Sequence, residues 1–347
     1  MAERPLHGCP ECAGEDQDQT IPGSGLTRRD FVRRVTGAAV ASGLLPLGGA
    51  GLARAAAAGD TPPGAGRPAE TAVKRFYDSL KDDQKKIVCF PFDHDLRTRI
   101  NANWAITKPA IGDLFSKEQQ ALLDEIFRGV VSPEGYERFQ KQMEDDYGGF
   151  DQYHVAVFGT PGSGQFEWEL TGRHLTVRAD GDSVAGAAFG GPMIYGHGAG
   201  DSQKGLPGNV FYYQTKKANE VFEALDGSQR KQALRPKAPT ENAVAIQGES
   251  GKFPGIAVGS LSRDQKELVE SVIKVVLSPY RDEDVKEALS ILKDGGGVDK
   301  LHMAFYEDQD VGNDHVWDVW RLEGPTFVWH FRGAPHVHTY VNIARKA

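Results

Sequence analysis

Apolar positions recur at helical spacing where the chain passes residue 70. One face of a helix is formed by Phe76, Tyr77, Leu80, Ile87 and Val88. A second helix is predicted over residues 116–128, because Ser116 and Gln119 have the spacing of a capping box. A third is predicted over 132–147, with Pro133 in its first turn. The first part of the domain is therefore helical.

From residue 153 the pattern changes to short alternating segments separated by glycine-rich turns, which predicts strands. The first strands are predicted at 153–159, 166–171, 173–180 and 183–189, before a long glycine-rich loop over 190–212. Helices return at about 215–234, 262–277 and 281–293. The last strands are predicted at 301–307, 314–322, 326–332 and 336–343. Because strands come in runs, the predicted fold class is α+β, with helices and antiparallel sheet.

Four segments end in glutamine at the predicted start of a helix: LKDDQ, FSKEQ, LDGSQ and LSRDQ, ending at Gln84, Gln119, Gln229 and Gln265. The first two glutamines are 35 residues apart and the last two are 36 apart. One explanation is an internal duplication of a helices-then-strands unit, with halves 70–210 and 215–347. The other is that four unrelated helices use glutamine to cap the backbone.

A basic segment followed by an apolar one lies near the N-terminus. Arg28 and Arg29 precede Phe31 in the pattern T-R-R-x-F. The Gly/Ala-rich stretch over 35–52 is shorter and less hydrophobic than a membrane span. Small residues up to 58 offer cleavage sites. The pattern predicts a twin-arginine signal peptide.

The predicted organisation is a signal peptide with an N-terminal extension over 1–58, a Pro/Gly linker over 59–69 and one domain over 70–347. The expected partner is the twin-arginine translocase, which carries folded proteins. We expect a periplasmic or secreted mature protein without a membrane anchor. Many such passengers acquire a metal or cofactor before export. Cys9 and Cys12 have C-x-x-C spacing, but no second ligand pair accompanies them.

Composition and charge narrow the function classes. The chain is 39% hydrophobic and 25% charged, as expected of a globular protein. The net charge of −8 and the absence of a basic run after the predicted signal peptide argue against nucleic acid as the main partner. The sequence contains no G-x-S-x-G elbow, P-loop, dinucleotide fingerprint or H-E-x-x-H motif.

Histidines are the strongest candidates for chemistry. His336 and His338 would project from the same face of a predicted strand, as two ligands of one metal must. His174 lies in another strand, and His330 precedes them across a short turn. Three neutral imidazoles could bind a divalent metal such as zinc, copper or iron. The alternative is that these are core or surface histidines without a metal.

The chain resembles the bacterial domain-of-unknown-function family 3500 over about residues 70–345. The resemblance is carried by the F-x-x-L-x-x-x-Q openings at Phe76 and Phe222 and by the ordered motifs FGTP, WELTGRHL, RLEGP and HVHTYVNIAR. In the family the GRHL segment usually reads GHHL. Arg173 replaces the first of these histidines here, and only His174 matches. The resemblance implies a shared fold and pocket.

We therefore expect a metal-binding enzyme, either an oxidoreductase or a hydrolase, with His174, His336 and His338 as ligands. Arg173 or Arg345 would orient an anionic group of a small-molecule substrate, since the guanidinium fork suits carboxylates. The alternatives are a non-catalytic binding protein for a metal or small ligand, and a structural domain. Metal content and turnover distinguish the three.

Overall fold

The computed structural model describes residues 68–198 and 209–345. The predicted signal peptide, with Arg28, Arg29 and Phe31, lies outside these residues, as do Cys9 and Cys12. Residues 68 and 69 of the predicted linker already belong to the first helix. No helix among the described residues is long and apolar enough to cross a membrane.

Four of the described helices begin at a capping box. Over the described residues the helices are α1 (Pro68–Ser79), α2 (Asp82–Val88), α3 (Ile111–Leu114), α4 (Lys117–Val130), α5 (Pro133–Tyr147), α6 (Tyr212–Glu223), α7 (Gly227–Ala233), α8 (Arg263–Leu277) and α9 (Asp282–Asp294). Gln84, Gln119, Gln229 and Gln265 each occupy the third helical position of a capping box. The prediction that each of these glutamines starts a helix is confirmed.

The capping glutamines also pair with one another across helices. The side-chain amides of Gln84 and Gln119 exchange two hydrogen bonds of 2.9 Å each. Those of Gln229 and Gln265 exchange bonds of 3.1 and 2.7 Å. Each glutamine therefore starts its own helix and joins it to a second helix. The same device occurs once in each half of the chain.

Eleven strands among the described residues form one sheet. They are β1 (Cys89–Phe90), β2 (His154–Gly159), β3 (Phe166–Gly172), β4 (Leu175–Ala179), β5 (Met193–His197), β6 (Leu234–Arg235), β7 (Ile256–Ala257), β8 (His302–Tyr306), β9 (Val319–Gly324), β10 (Phe327–Arg332) and β11 (Val337–Ile343). Their order is β1-β2-β3-β4-β5-β11-β10-β9-β8-β6, with β7 paired to β8. The short outer strands β1 and β6 pair in parallel with β2 and β8, and the other pairs within the described sheet are antiparallel. The predicted α+β class is confirmed, and both groups of strands join in one mostly antiparallel sheet.

Two predicted strand assignments are wrong. Residues 183–189 form turns, and a strand instead occupies Met193–His197, inside the predicted glycine-rich loop. Positive φ angles at Gly186, Phe189 and Gly190 break an extended segment before that strand. Residues 314–318 also precede their strand rather than belonging to it. Glycine content predicted a loop where β5 lies, because it takes no account of the pairing of β5 with β4 and β11.

The two faces of the sheet have different covers. One face packs against the helices in a large apolar core that contains Trp168, Trp320 and Trp329. The other face lies under two irregular segments, 91–110 and 236–255, through smaller apolar clusters. Buried charged side chains also line this second face. Polar chemistry is therefore concentrated beneath the two irregular segments.

Candidate metal centre

Two of the predicted histidines lie where β11 begins. His338 stands between Gly196 of β5 and Arg332 of β10, its partners across the sheet. His336 precedes the strand by one residue, and both rings are only 1% exposed. The nearest nitrogens of the two rings, both Nε2, are 2.9 Å apart. The prediction that these side chains project to the same side agrees with this contact.

The third histidine reaches the same place from the turn between β3 and β4. His174 has a φ of 57°, a left-handed conformation that few non-glycine residues adopt. Its backbone N–H donates a 2.6 Å hydrogen bond to the carbonyl of Ala102, in the irregular segment 91–110. The turn holds the ring centroid 5.0 Å from that of His336 and 4.8 Å from that of His338. One nitrogen from each ring lies within 4.8 Å of the others.

A glycine makes this approach possible. Gly196 lies beside His338 in the sheet, next to the turn that carries His174. A Cβ atom at this position would lie 2.2 Å from the carbonyl oxygen of Val337 and 3.3 Å from the Cβ of His174. Any side chain would therefore displace either the backbone of β11 or the histidine turn.

Buried carboxylates orient two of the rings. The Nδ1 atom of His174 is 2.8 Å from Oδ2 of Asp146, and that of His338 is 2.9 Å from Oε2 of Glu241. A carboxylate accepts a hydrogen bond from Nδ1–H, which places the ring's lone pair on Nε2. Both Nε2 atoms are thereby prepared to donate an electron pair to a cation.

The surroundings keep Asp146 charged and two of the rings neutral. Burial would raise the pKa of Asp146, but His174 and the hydrogen bonds from His174 and Gln142 outweigh it and lower that pKa. The backbone N–H of Gly198 donates a further bond of 2.7 Å to Asp146. Burial, followed by neighbouring positive or histidine groups, lowers the pKa of both His336 and His338. Neutral imidazole is the form that binds metals.

The comparisons with known proteins place the whole described region in one family. The model of a family described as "Protein of unknown function (DUF3500)" matches residues 66–345. The chain belongs to this family. No curated protein and no solved structure matches the chain. The resemblance predicted from the motifs is confirmed, and it covers all three histidines of this DUF3500 domain.

Two guanidinium groups flank the histidines of the DUF3500 domain. Nη2 of Arg332 lies 3.3 Å from Nε2 of His336, and its Nε lies 3.1 Å from Oε1 of Glu241. Arg173 precedes His174 in the turn, and its charge contributes to the lowered pKa of His338. Among the described groups nearest the rings, two carboxylates and two guanidinium groups balance in charge.

The other two candidate residues lie elsewhere. His330 is buried in β10 between Arg321 and Tyr340, and is not one of the three converging histidines. Arg345 follows the far end of β11, where it pairs with Asp294. Nine residues of extended chain separate it from His336, or roughly 30 Å. Arg345 therefore cannot orient a group bound at the histidines, whereas Arg173 is placed to do so.

The sequence reasoning missed the groups that support the rings, namely Asp146, Glu241, Arg332 and Gln142. One signal was available for Asp146. The last turn of α5 contains acidic residues and no basic one. Acids are unfavourable near a helix C-terminus, where the helix dipole is negative. In the DUF3500 structure this turn supplies Asp146 to His174 and Asp145 to His197.

Proposed function

We propose that this DUF3500 protein is an exported metalloenzyme, a hydrolase or an oxidoreductase, with one divalent metal ion on His174, His336 and His338. The observation that carries the proposal is the convergence of three buried imidazoles, two of them oriented by carboxylates. Core histidines without a ligand usually satisfy their nitrogens with hydrogen-bond partners. Here the Nε2 atoms of two imidazoles meet at 2.9 Å, a hydrogen-bond contact between two ligand atoms that a shared cation would replace.

The ligand set favours a transition metal. Imidazole nitrogens suit zinc, copper and iron, whereas magnesium and calcium prefer oxygen. Zinc bonds to histidine are about 2.0–2.1 Å long, so two ligands of a tetrahedral ion lie about 3.3 Å apart. The rings of His336 and His338 need to separate by only a few tenths of an ångström to reach this spacing.

Charge balance supports an anionic fourth ligand. The two carboxylates and two guanidinium groups nearest the rings cancel, so a divalent ion would introduce uncompensated charge. Three histidines with an open position are typical of catalytic zinc sites, where bound water has a pKa of about 7. Arg332, which lies 3.3 Å from His336, and Arg173, which precedes His174 in the chain, could orient the anionic group of a small-molecule substrate.

One observation favours a non-catalytic metal-binding protein as the second candidate. All three rings are at most 1% exposed, as in a closed structural site. The two candidates differ in the fourth position, because a structural site is filled by the protein and a catalytic site exchanges its water for added anions. Azide or cyanide binding to the cobalt-substituted protein, followed by its visible spectrum, separates them.

Export of this protein is part of the same proposal. It rests on the Arg28–Arg29 pair and the apolar stretch that follows, with the twin-arginine translocase as partner and a periplasmic or secreted mature form. Translocation of a folded chain fits a buried site that must be loaded while folding is under way. The acidic net charge of −8 supports a partner other than nucleic acid.

The central test is metal analysis of untagged protein. We expect about one equivalent of zinc, copper or iron in the wild type and none in the variant His336→Ala/His338→Ala. The matched control His94→Ala/His302→Ala removes two histidines outside the cluster and should retain the metal. A wild-type protein that holds no stoichiometric metal, and takes none up on incubation with these ions, would overturn the proposal.

A further inference from the structure

A pocket lies under the irregular segment 236–255, at the β8–β9 side of the sheet. Its volume is about 510 Å³, within the range of small-molecule sites. Its charged and aromatic lining consists of Arg235, Lys237, Lys252, Tyr306, Arg321 and Glu323. None of these residues belongs to the histidine cluster or contacts it through a described hydrogen bond.

One buried guanidinium is fixed in this pocket with a donor to spare. Arg321 is 4% exposed, and its Nε donates a 2.9 Å bond to Oε2 of Glu323. Its Nη2 donates to the carbonyl of Ala243 in the covering segment. The buried Nη1 has no hydrogen-bond partner among the described residues. The guanidinium is therefore oriented before any ligand arrives.

A buried phenol offers a second donor in the same lining. Tyr306 is 1% exposed, and its hydroxyl has no hydrogen-bond partner in the part of the chain that the structure describes. Burial raises the pKa of Tyr306 to about 12, so the hydroxyl keeps its proton at neutral pH. A buried donor without an acceptor costs free energy, so this hydroxyl favours a ligand that brings a hydrogen-bond acceptor.

The charge of the pocket lining also favours an anionic ligand. Four cationic side chains face one carboxylate, although the chain as a whole carries a net charge of −8. That carboxylate, Glu323, already accepts bonds from Arg321 and Gln247. Three prolines, Pro236, Pro239 and Pro254, complete the walls with apolar surface. The lining suits an anionic head on an apolar body.

The equivalent place in the first half of the sheet is filled by the protein itself. Strands β2 and β8 both begin with a histidine. The fifth residue is Phe158 in β2 and Tyr306 in β8. Phe158 packs with Trp104 and Ile106 from the covering segment 91–110. The second half has a hydroxyl and an open pocket where the first half has an aromatic cluster.

We propose that this pocket binds a small organic anion, through the charged head of a carboxylate or phosphate group held by Arg321 and Tyr306. The site is separate from the proposed metal centre, because Arg321 and His338 lie on strands two apart in the sheet. The lysines and Arg235 raise the local concentration of anions at the pocket mouth.

Isothermal titration calorimetry tests the proposal with benzoate and phenyl phosphate, and with benzamide as a neutral analogue. The titrations use the His336→Ala/His338→Ala protein, so that an anion cannot bind to a metal there. Binding of either anion supports the site, and the stronger of the two identifies carboxylate or phosphate as the head. Failure of both anions to bind, or equal binding of benzamide, would overturn it.

Variants locate the binding. Tyr306→Phe removes only a hydroxyl without a partner and should weaken anion binding roughly tenfold or more while the protein stays folded. Tyr280→Phe is the matched control, since its buried hydroxyl also lacks a described partner but lies in the helical core. Lys252→Ala should weaken binding less and reduce its salt dependence. Equal affinities of the Tyr306→Phe and Tyr280→Phe proteins would contradict the assignment.

Discussion

The carboxylate of Asp146 lies 2.8 Å from Nδ1 of His174, and both side chains are nearly fully buried. This contact joins the end of α5 to the turn between β3 and β4. It selects the tautomer in which Nε2 of His174 can coordinate a cation. An acid on a helix thus prepares a histidine that is held in the left-handed conformation.

The first prediction concerns this contact. Asp146→Asn should lower metal affinity by about 10–100-fold, because the amide no longer stabilises the required tautomer. Its neighbour provides the control: Asp145→Asn changes the partner of His197, which is not one of the three ligands and keeps the bond from Val210 N–H to its Nδ1, so metal affinity should stay nearly unchanged. Competition with a zinc chelator measures both. Equal affinities for the two variants would exclude a supporting role for Asp146.

The second prediction concerns the space beside the histidines. Gly196→Ala should lower the free energy of unfolding by about 1–3 kcal/mol and reduce metal binding, because the new Cβ meets the backbone at Val337. Gly227→Ala, at a helix start with no atom within 4 Å of the added carbon, should leave both unchanged. Urea denaturation measures the stabilities. A neutral Gly196→Ala would show that β11 shifts freely.

The third prediction concerns the glutamine pairs. Gln84→Ala and Gln119→Ala should each destabilise the fold by about 1–3 kcal/mol, because each removes a helix cap and leaves one N–H of the buried partner amide without its glutamine acceptor. The double variant should lose less than the two single losses added together, by about 0.5–3 kcal/mol. The same cycle at Gln229 and Gln265, which are less buried, should show weaker coupling. Strict additivity at Gln84 and Gln119 would contradict the pairing.

The fourth prediction concerns pH. Burial lowers the pKa of His330, His336 and His338 in the folded protein. A histidine in the unfolded chain has the ordinary pKa of about 6.5, so below that pH the unfolded chain binds more protons than the folded one. Stability of the metal-free protein is therefore present above that pH and lost as the pH falls, by about 1.4 kcal/mol per pH unit for each histidine.

Denaturation curves at several pH values between 7.5 and 5.5 measure this slope. His330→Gln should reduce it by about one fifth, because burial also lowers the pKa of His154 and His197, so five described histidines take up a proton on unfolding. A metal-free wild type whose stability does not change over this interval would contradict the burial of neutral histidines.

The fifth prediction concerns export. Replacing Arg28 and Arg29 by lysine keeps the charge but removes the pair that the translocase reads, so the precursor should stay in the cytoplasm. Arg33→Lys/Arg34→Lys, in the same basic segment, is the control and should be exported. Cell fractionation measures both. Normal export of the Arg28→Lys/Arg29→Lys protein would exclude the twin-arginine route.

Local patterns were enough to predict much of the fold. Capping chemistry at Ser116 and Gln119 involves residues three apart, so it could be read directly from the chain. The alternation that places His336 beside His338 is equally local. The paired glutamines and the repeated order of elements agree with a duplication, which stays a hypothesis about ancestry.

Contacts between distant segments could not be predicted in the same way. Glu241 reaches His338 across 97 residues, from a segment without regular structure. The glycine-rich sequence around β5 predicts a loop. Gly196 instead lies in a strand, where the missing side chain leaves room for His174. Arg345 ends the same motif as the histidines, but the extended strand β11 separates it from them.

The pairing of β5 with β11 places the candidate centre at the junction of the two halves of the sheet. His174 comes from the first half, whereas His336 and His338 come from the second. Neither half alone holds more than two of the three ligands. An ion would therefore bind all three ligands only after both halves of the sheet have folded and paired. Its occupancy would distinguish completely folded molecules from half-folded ones.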